Sequence, residues 1–386
     1  MLIAASGHSD DIDSLSAFAE IREQCEAALK GQSPQAGILF AGIDFEHQLL
    51  LDAINETWPG IELIGCTSDG EISSRLGFRE DSISLLLLAS DTIDFSFGLG
   101  RNLSKDPQAA CSQAVEQARA KSELEPRLCI LVPESLTITG LKTVEVLRQV
   151  LGDEVDLFGG RAADNRKYEN TFQFCGREVV SDSVPILILS GPLVYSFGVA
   201  SGWNPIGTPG TITRSQGNVV YEIDGAPAIE FYRHFLGKDF QLSTEIALLI
   251  LNDAGEPEYL RPPSGDVDAE AGSITFLSDV PEGAKAQIAI SDRSAILKGC
   301  EESVQKALEG YSEGKDPEAA LIVSCSSRKL LLGTKTGEEH RILVERIGHE
   351  LPFAGFYSFG EIGPLKSGTR TPTIHHYTFT MLLLGT

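Results

Sequence analysis

The feature that most constrains this chain is a glycine turn that recurs along it. Phe353 to Pro364 reads Phe-Ala-Gly-Phe-Tyr-Ser-Phe-Gly-Glu-Ile-Gly-Pro, placing glycines, a carboxylate and a phenol directly after an apolar approach. That is poor composition for a core helix and good composition for a strand end that turns under a ligand. Far upstream, Ile64 to Ile72 carries Gly65, Ser68, Gly70, Glu71 and Ile72 in register with Gly355, Ser358, Gly360, Glu361 and Ile362. A looser third copy runs from Leu157 through Gly159 and Gly160 into Arg161, Ala162, Ala163, Asp164 and Asn165.

The correspondence extends backwards from each turn, which separates a repeat from coincidence. Before the first come the apolar run Ala36 to Ala41, a helix-like stretch Glu46 to Trp58 and the short apolar Ile61 to Ile64. Before the second lie Leu128 to Val132, Gly140 to Leu151 and Val155 to Phe158; before the last, Ala320 to Cys325, Thr336 to Ile347 and Leu351 to Ala354. Each reads as strand, helix, strand, glycine turn, and each turn is followed by another strand-like run: Ser82 to Ser90, Ser183 to Gly191, Tyr377 to Gly385. The expected fold is therefore α/β, with repeated strand-helix-strand units forming mixed sheets in two closely associated halves, 1–228 and 229–386. The glycine turns are expected to converge at one end, with a ligand pocket where they meet.

Between the second and third units the elements are less regular. Thr211 to Glu222 alternates and breaks at Gly217-Asn218 in the manner of a hairpin, and Ala228 to Leu236 reads as a helix. Ser243 to Asn252, Gly272 to Phe276 and Ala284 to Ser291 read as strands, Pro257 to Asp268 as an irregular loop, and Ser294 to Glu309 as a helix capped by Ser294.

A formal charge of -24 repels a phosphate backbone at long range, which argues against nucleic acid as a partner. No run approaches the roughly 18 apolar residues of a membrane helix, and the N-terminus has no secretory signal pattern, so a cytoplasmic location is expected. The seven cysteines are dispersed singly and read as reduced thiols with no zinc-type pairing, so no metal is expected.

In order along the chain, Gly65-Cys66-Thr67 with Gly70-Glu71-Ile72, Gly159-Gly160 with Ala163-Asp164, Gly202-Trp203-Asn204-Pro205, Asp224-Gly225-Ala226-Pro227-Ala228, Ser324-Cys325 with Arg328, Gly355-Phe356-Tyr357-Ser358 with Gly360-Glu361-Ile362, and His375 followed by Tyr377-Thr378 resemble the FIST family. These marks cover roughly residues 30 to 386. Where family members usually follow the histidine with asparagine, this chain has His376, a further titratable group. The resemblance implies a cytoplasmic sensory module for a small ligand such as an amino acid, coupled to a histidine kinase, a cyclic-di-GMP enzyme or a chemotaxis partner. It also implies a haem-binding nitric oxide sensor as an alternative, for which His375 and His376 are the suggestive ligands.

The candidate ligand-binding residues are Cys66, Thr67, Glu71, Arg161, Asp164, Cys325, Arg328, Tyr357, Ser358, Glu361 and His375. A carboxylate after a glycine turn can bind an ammonium group, and a guanidinium can fork onto a carboxylate. Arg328 or Arg161 paired with Glu361 or Glu71 would hold a zwitterion. The competing reading is that Glu71 and Glu361 brace backbone, because a repeated fold repeats its structural devices. A small hydrolase with Cys325 or Cys66 as nucleophile and His375 as base is a further alternative. No motif joins a base, an orienting acid and an oxyanion hole, so no enzyme is expected.

Overall fold

The structure, a computed structural model, describes residues 1–137, 140–268, 270–366 and 368–386. It is a mixed α/β protein in which one order of elements occurs three times: outer strand, helix, strand, helix, strand, hairpin and returning strand. In the first unit these are Leu2–Ser9, Ser14–Leu29, Ala36–Ala41, His47–Thr57, Glu62–Thr67, the hairpin Glu71–Ser73 with Gly77–Arg79, and Ile83–Ser90. The second runs Asp94–Arg101, Pro107–Arg119, Pro126–Leu131, Gly140–Leu151, Asp156–Gly160, Gln173–Cys175 with Glu178–Val180, and Ser183–Ser190. The third runs Val194–Ala200, Arg293–Gly310, Ala319–Cys325, Gly337–Ile347, Phe353–Ser358, Glu361–Pro364 with Pro372–His375, and Phe379–Gly385, with a short extra helix Ser326–Leu332.

No unit completes its own sheet. The hairpin after each glycine turn crosses to a neighbour: Glu71–Ser73 pairs with Phe353–Ser358, Gln173–Cys175 with Glu62–Thr67, and Glu361–Pro364 with Asp156–Gly160. Three six-stranded sheets result, each holding two parallel central strands flanked by antiparallel ones. The exchange is cyclic, so every unit gives an edge to one neighbour and takes one from the other. Strands of the first two units and of the last stretch of chain are thus shared across residue 228.

Alternation along the strands builds the interior. In Ala36–Ala41, Ile38 and Phe40 face a central cluster shared by all three sheets, while Leu39 and Ala41 face the unit's own helices. The same division puts Ile130 and Leu128, and Leu321 and Val323, into the central cluster. Phe40 and Phe356 stack there with centroids 4.3 Å apart. Helices therefore lie outside, against three separate clusters.

Residues 204–290 form an insertion between the outer strand and first helix of the third unit, where the other units have only a short turn. It is an eight-stranded sheet packed on the helix Ala228–Leu236. The stretch Pro257 to Asp268, expected as loop, contributes the strands Pro257–Arg261 and Pro263–Asp268, because backbone pairing to Ile246–Leu251 and Ser273–Phe276 overrides its prolines: Pro257 and Pro263 open the strands and Pro262 lies between them. Asp292, two residues before the expected Ser294, caps Arg293–Gly310 by accepting from the Ala295 N–H. Among the described residues, no helix is long and apolar enough to cross a membrane.

Glycine is required where the paired parallel strands approach most closely. A Cβ on Gly65, Gly159 or Gly355 would lie 2.1, 1.9 or 2.3 Å from the carbonyl oxygen of Leu39, Leu131 or Ile322. Gly65→Ala, Gly159→Ala and Gly355→Ala should each lower stability in denaturant unfolding by roughly 3 kcal/mol or more, a backbone clash being among the costliest single changes. Gly337→Ala, in open space at a helix start, should stay within about 1 kcal/mol of wild type. Tolerance of all three core substitutions would contradict the packing described.

Candidate functional site

The exchanged hairpins bring the three glycine turns to one end and tie them together through backbone. The Asp69 N–H donates to the Tyr357 carbonyl, the Ala163 N–H to that of Thr67, and the Phe359 N–H to that of Arg161. These contacts define which residues correspond. Thr67, Arg161 and Tyr357 are equivalent, each two residues after the close-approach glycine. Glu71, Gln173 and Glu361 are equivalent, because they pair with the matching positions Phe356, Cys66 and Gly160 of the neighbouring strands.

Each of those three side chains meets a hydroxyl at the start of its own returning strand. Glu71 bonds to Ser82 and Ser68. Gln173 Oε1 accepts from Ser183 Oγ at 3.0 Å, and Glu361 Oε2 accepts from Thr378 Oγ1 at 2.8 Å and from the Thr378 N–H at 3.1 Å. Ser82 also contacts His8 Nε2 at 2.9 Å, and His8 Nδ1 contacts Ser73 Oγ at 2.7 Å, so a continuous buried chain runs from Glu71 to Ser73. All three side chains are fully buried. Burial pushes Glu71 up to about 7 and Glu361 up to about 8, against the pull of their hydroxyl partners. The amide at Gln173 shows the same position filled by a neutral group.

The arginines are occupied as well. Arg328, fully buried, donates through Nη2 and Nε to Glu339 Oε1 at 2.7 and 3.0 Å and through its fork to the carbonyls of Ser201, Ile296 and Tyr377. Glu339 accepts in addition from Tyr357 Oη at 2.6 Å and Ser324 Oγ at 3.1 Å. Arg161 donates to the backbone carbonyls of Glu134 and Ser135, and burial lowers its pKa to about 10. Asp164 accepts from the N–H groups of Tyr168, Glu169 and Asn170, holding the loop that precedes Gln173. Thr67 Oγ1 accepts from the Phe172 N–H at 3.1 Å, and Ser358 Oγ lies 3.3 Å from Glu361. Burial pushes the Cys66 and Cys325 thiols up, Cys66 within the central cluster and Cys325 beside Glu361. Sequence reasoning missed Asp69, whose carboxylate takes Ser326 Oγ and Lys329 Nζ. Burial raises it to about 6.

Beside this ring, a cleft of about 760 Å³ separates the insertion from the third unit. Val199 to Pro205 form its floor at the end of the outer strand, Tyr259 and Leu260 one wall, and Lys298, Glu302, Lys306 and Glu309 of the first helix the other. Lys366, His375 and Thr378 complete it. Of the residues expected to touch ligand, His375 lines this cleft; its Nε2 bonds to the Pro364 carbonyl at 2.9 Å and burial lowers its pKa to about 4. Tyr377 lies behind, stacked on Trp203 with centroids 4.3 Å apart and planes 7° from parallel. Its backbone is left-handed, φ 64°, which costs a bulky residue of order 1–3 kcal/mol. Glu361 holding the Thr378 N–H and Arg328 donating to the Tyr377 carbonyl pin that peptide from both sides. Glu361 and Arg328 are therefore placed to position the cleft floor. Both lie outside the lining itself.

Comparison with known proteins gives matches along most of the chain. The FIST N domain matches residues 35–226 and the FIST C domain residues 228–364. The "Uncharacterized protein Rv0628c" of Mycobacterium tuberculosis is 24% identical over 379 residues, 95% of each chain. The "Uncharacterized protein MJ1623" of Methanocaldococcus jannaschii is 24% identical over 332 residues, 81% of this chain and 62% of that one. Among solved structures, a cyanuric acid hydrolase from A. caulinodans aligns with TM-score 0.37 at 10% identity, over 100% of this chain and 99% of that one.

The two raised glutamates predict a pH dependence. Each binds its proton more tightly folded than unfolded, so its contribution is complete below the ordinary value of 4.5 and is lost as pH rises through about 7 for Glu71 and about 8 for Glu361. The thermal midpoint should fall by several degrees between pH 5.5 and pH 9. The double variant Glu71→Gln/Glu361→Gln, copying Gln173, should fold and flatten that decline; an unchanged slope would show that these carboxyls do not titrate in the window. Glu339→Ala should cost about 3–5 kcal/mol in denaturant unfolding by leaving Arg328 buried and unpaired.

Proposed function

The chain belongs to the FIST family, whose domains are small-ligand sensory modules of signal transduction, and on that premise we propose that it senses a small polar metabolite, an amino acid in particular, in the cleft between the insertion and the third unit. The observation that carries this reading is the lining. Lys298, Lys306 and Lys366 line the cleft together with Glu258, Glu302 and Glu309, around a space floored by Trp203 and walled by Tyr259 and Leu260. Charges of both signs around apolar surface suit a zwitterion carrying a carbon side chain. The volume falls in the range of small-molecule sites, and the position, at the carboxyl ends of the strands, is where open α/β sheets bind ligands.

Binding there would bridge two bodies of the fold. A ligand favouring one arrangement of insertion and third unit shifts the population toward it and alters a surface that a separate histidine kinase, cyclic-di-GMP enzyme or chemotaxis protein reads. Thiol chemistry has little support in comparison, since burial keeps Cys66 and Cys325 protonated, whereas reactive cysteines sit in exposed electropositive surroundings.

The test is thermal unfolding of the full chain against each of the twenty standard L-amino acids. A ligand at about 1,000 times its Kd stabilises by roughly 4 kcal/mol. A selective rise is expected, and Glu302→Gln with Lys366→Met should blunt it while leaving the unliganded midpoint in place. A flat panel, or a rise indifferent to both substitutions, would overturn the reading.

A further inference from the structure

The helix Arg293–Gly310 borders the cleft along almost its whole length: Ala295, Lys298, Glu302, Lys306, Glu309 and Gly310, one face of it, all line the space. From Ala295 to Gly310 an α-helix rises about 22 Å, the length of roughly six or seven residues of extended chain. The cleft is thus a groove, and a single amino acid fills only part of it. Along that face the charges alternate in sign, Lys298, Glu302, Lys306 and Glu309, at successive rises of about 6, 6 and 4.5 Å. Side chains on one face of an extended strand recur about every 6.6 Å, a difference that lysine and glutamate side chains span.

The other two units show what this helix face does where no cleft adjoins it. Gly7, Gly98 and Gly198 are equivalent, because a Cβ on each would strike a carbonyl of the first helix, that of Ile21, Ala114 or Ser303. Three residues beyond those carbonyls stand Gln24, Gln117 and Lys306; one residue before them stand Glu20, Gln113 and Glu302. Gln24 bonds to both backbone groups of His8, and Gln117 and Gln113 accept from the N–H groups of Leu99 and Arg101, so neutral amides cover the outer strand's edge. The third unit alone puts opposite charges at both places, with Lys306 on the Val199 carbonyl at 3.2 Å and Glu302 only 3.9 Å from Lys298. That last pair is exposed and worth little, so a ligand displaces it cheaply. The groove also lies between two sheets: residues of Val194–Ala200 and of Pro257–Arg261 line it, and each is the end strand of its sheet, the place where an added strand pairs.

We propose that the groove binds an extended peptide segment of a partner protein, with acidic and basic residues in turn at every second position, laid along Lys298, Glu302, Lys306 and Glu309. The acids of the segment meet Lys298 and Lys306 and its bases meet Glu302 and Glu309, while its backbone pairs with the end strand Pro257–Arg261. Lys306 keeps its bond to the Val199 carbonyl, since an ammonium has three protons to donate. Alternating signs select against a uniformly charged chain, and together with a net charge of -24 they oppose a nucleic acid. The peptide site shares the cleft with the amino-acid reading and stands without it.

The experiment titrates the full chain into fluorescein-labelled, end-blocked peptides at low salt and follows anisotropy. Glu-Thr-Lys-Thr-Glu-Thr-Lys and its reverse, Lys-Thr-Glu-Thr-Lys-Thr-Glu, offer the alternating pattern in either strand direction; Glu-Glu-Thr-Thr-Thr-Lys-Lys has the same composition in blocks. One of the alternating peptides should bind at least tenfold more tightly than the block isomer. Exchanging the exposed pair, Lys298→Glu together with Glu302→Lys, should leave the thermal midpoint in place, because the pair is kept, and weaken that peptide at least tenfold by setting like charges against it. Equal binding of the block isomer, binding indifferent to the exchange, or no binding of either alternating peptide overturns the peptide site. Selective peptide binding beside a flat amino-acid panel upholds it and removes only the amino-acid reading; a responding amino acid with no peptide bound does the reverse.

Discussion

Everything in this fold depends on backbone pairing between units. An open sheet presents a row of unpaired N–H and C=O groups. Here each unit's open edge beside its last parallel strand is covered by the hairpin of a neighbour, in a closed cycle of three. The glycines follow from that pairing. Two strands in parallel register leave no room for a Cβ at Gly65, Gly159 or Gly355, and the turn that carries each hairpin away begins a few residues later. The central cluster then closes because all three sheets deliver alternate apolar side chains to it.

That constraint explains why the polar residues most conspicuous in sequence lie inside. A hairpin leaving one sheet for another must be fastened where it departs. Glu71, Gln173 and Glu361 do this by bonding to Ser82, Ser183 and Thr378 at the return. Arg328 and Glu339 do the corresponding work between the short helix and the second helix of the third unit, with Tyr357 and Ser324 closing the network. Such a cluster is costly to break and gives conformational definition where the chain approaches the cleft.

Much of this was legible in the sequence, and for a physical reason. Close backbone approach admits only glycine, so a repeated fold writes a repeated glycine spacing, and burial on alternate faces writes the strands around it. The partner of each hairpin left no such mark, because pairing between units depends on three-dimensional register. Gln173 escaped because the loop from Asp164 to Phe172 displaces it from the position where Glu71 and Glu361 stand relative to their glycines. Glu339 reads as an ordinary acid on the helix Gly337–Ile347. The insertion escaped because its strands alternate like any others. Trp203 stood in plain view in the Gly202-Trp203-Asn204-Pro205 stretch, yet nothing local announces that its indole faces a junction between two bodies.

The resulting account separates support from sensing: the ring of turns holds the framework, and the junction with the insertion takes the ligand. Hydrogen exchange followed by mass spectrometry tests that division directly, with and without an equimolar mixture of the twenty L-amino acids. The account predicts slowed exchange confined to the cleft segments around 199–205, 257–260, 298–310 and 365–378, with the turns at 67–71 and 160–164 unchanged. Protection centred on those turns and absent from the cleft segments would contradict it.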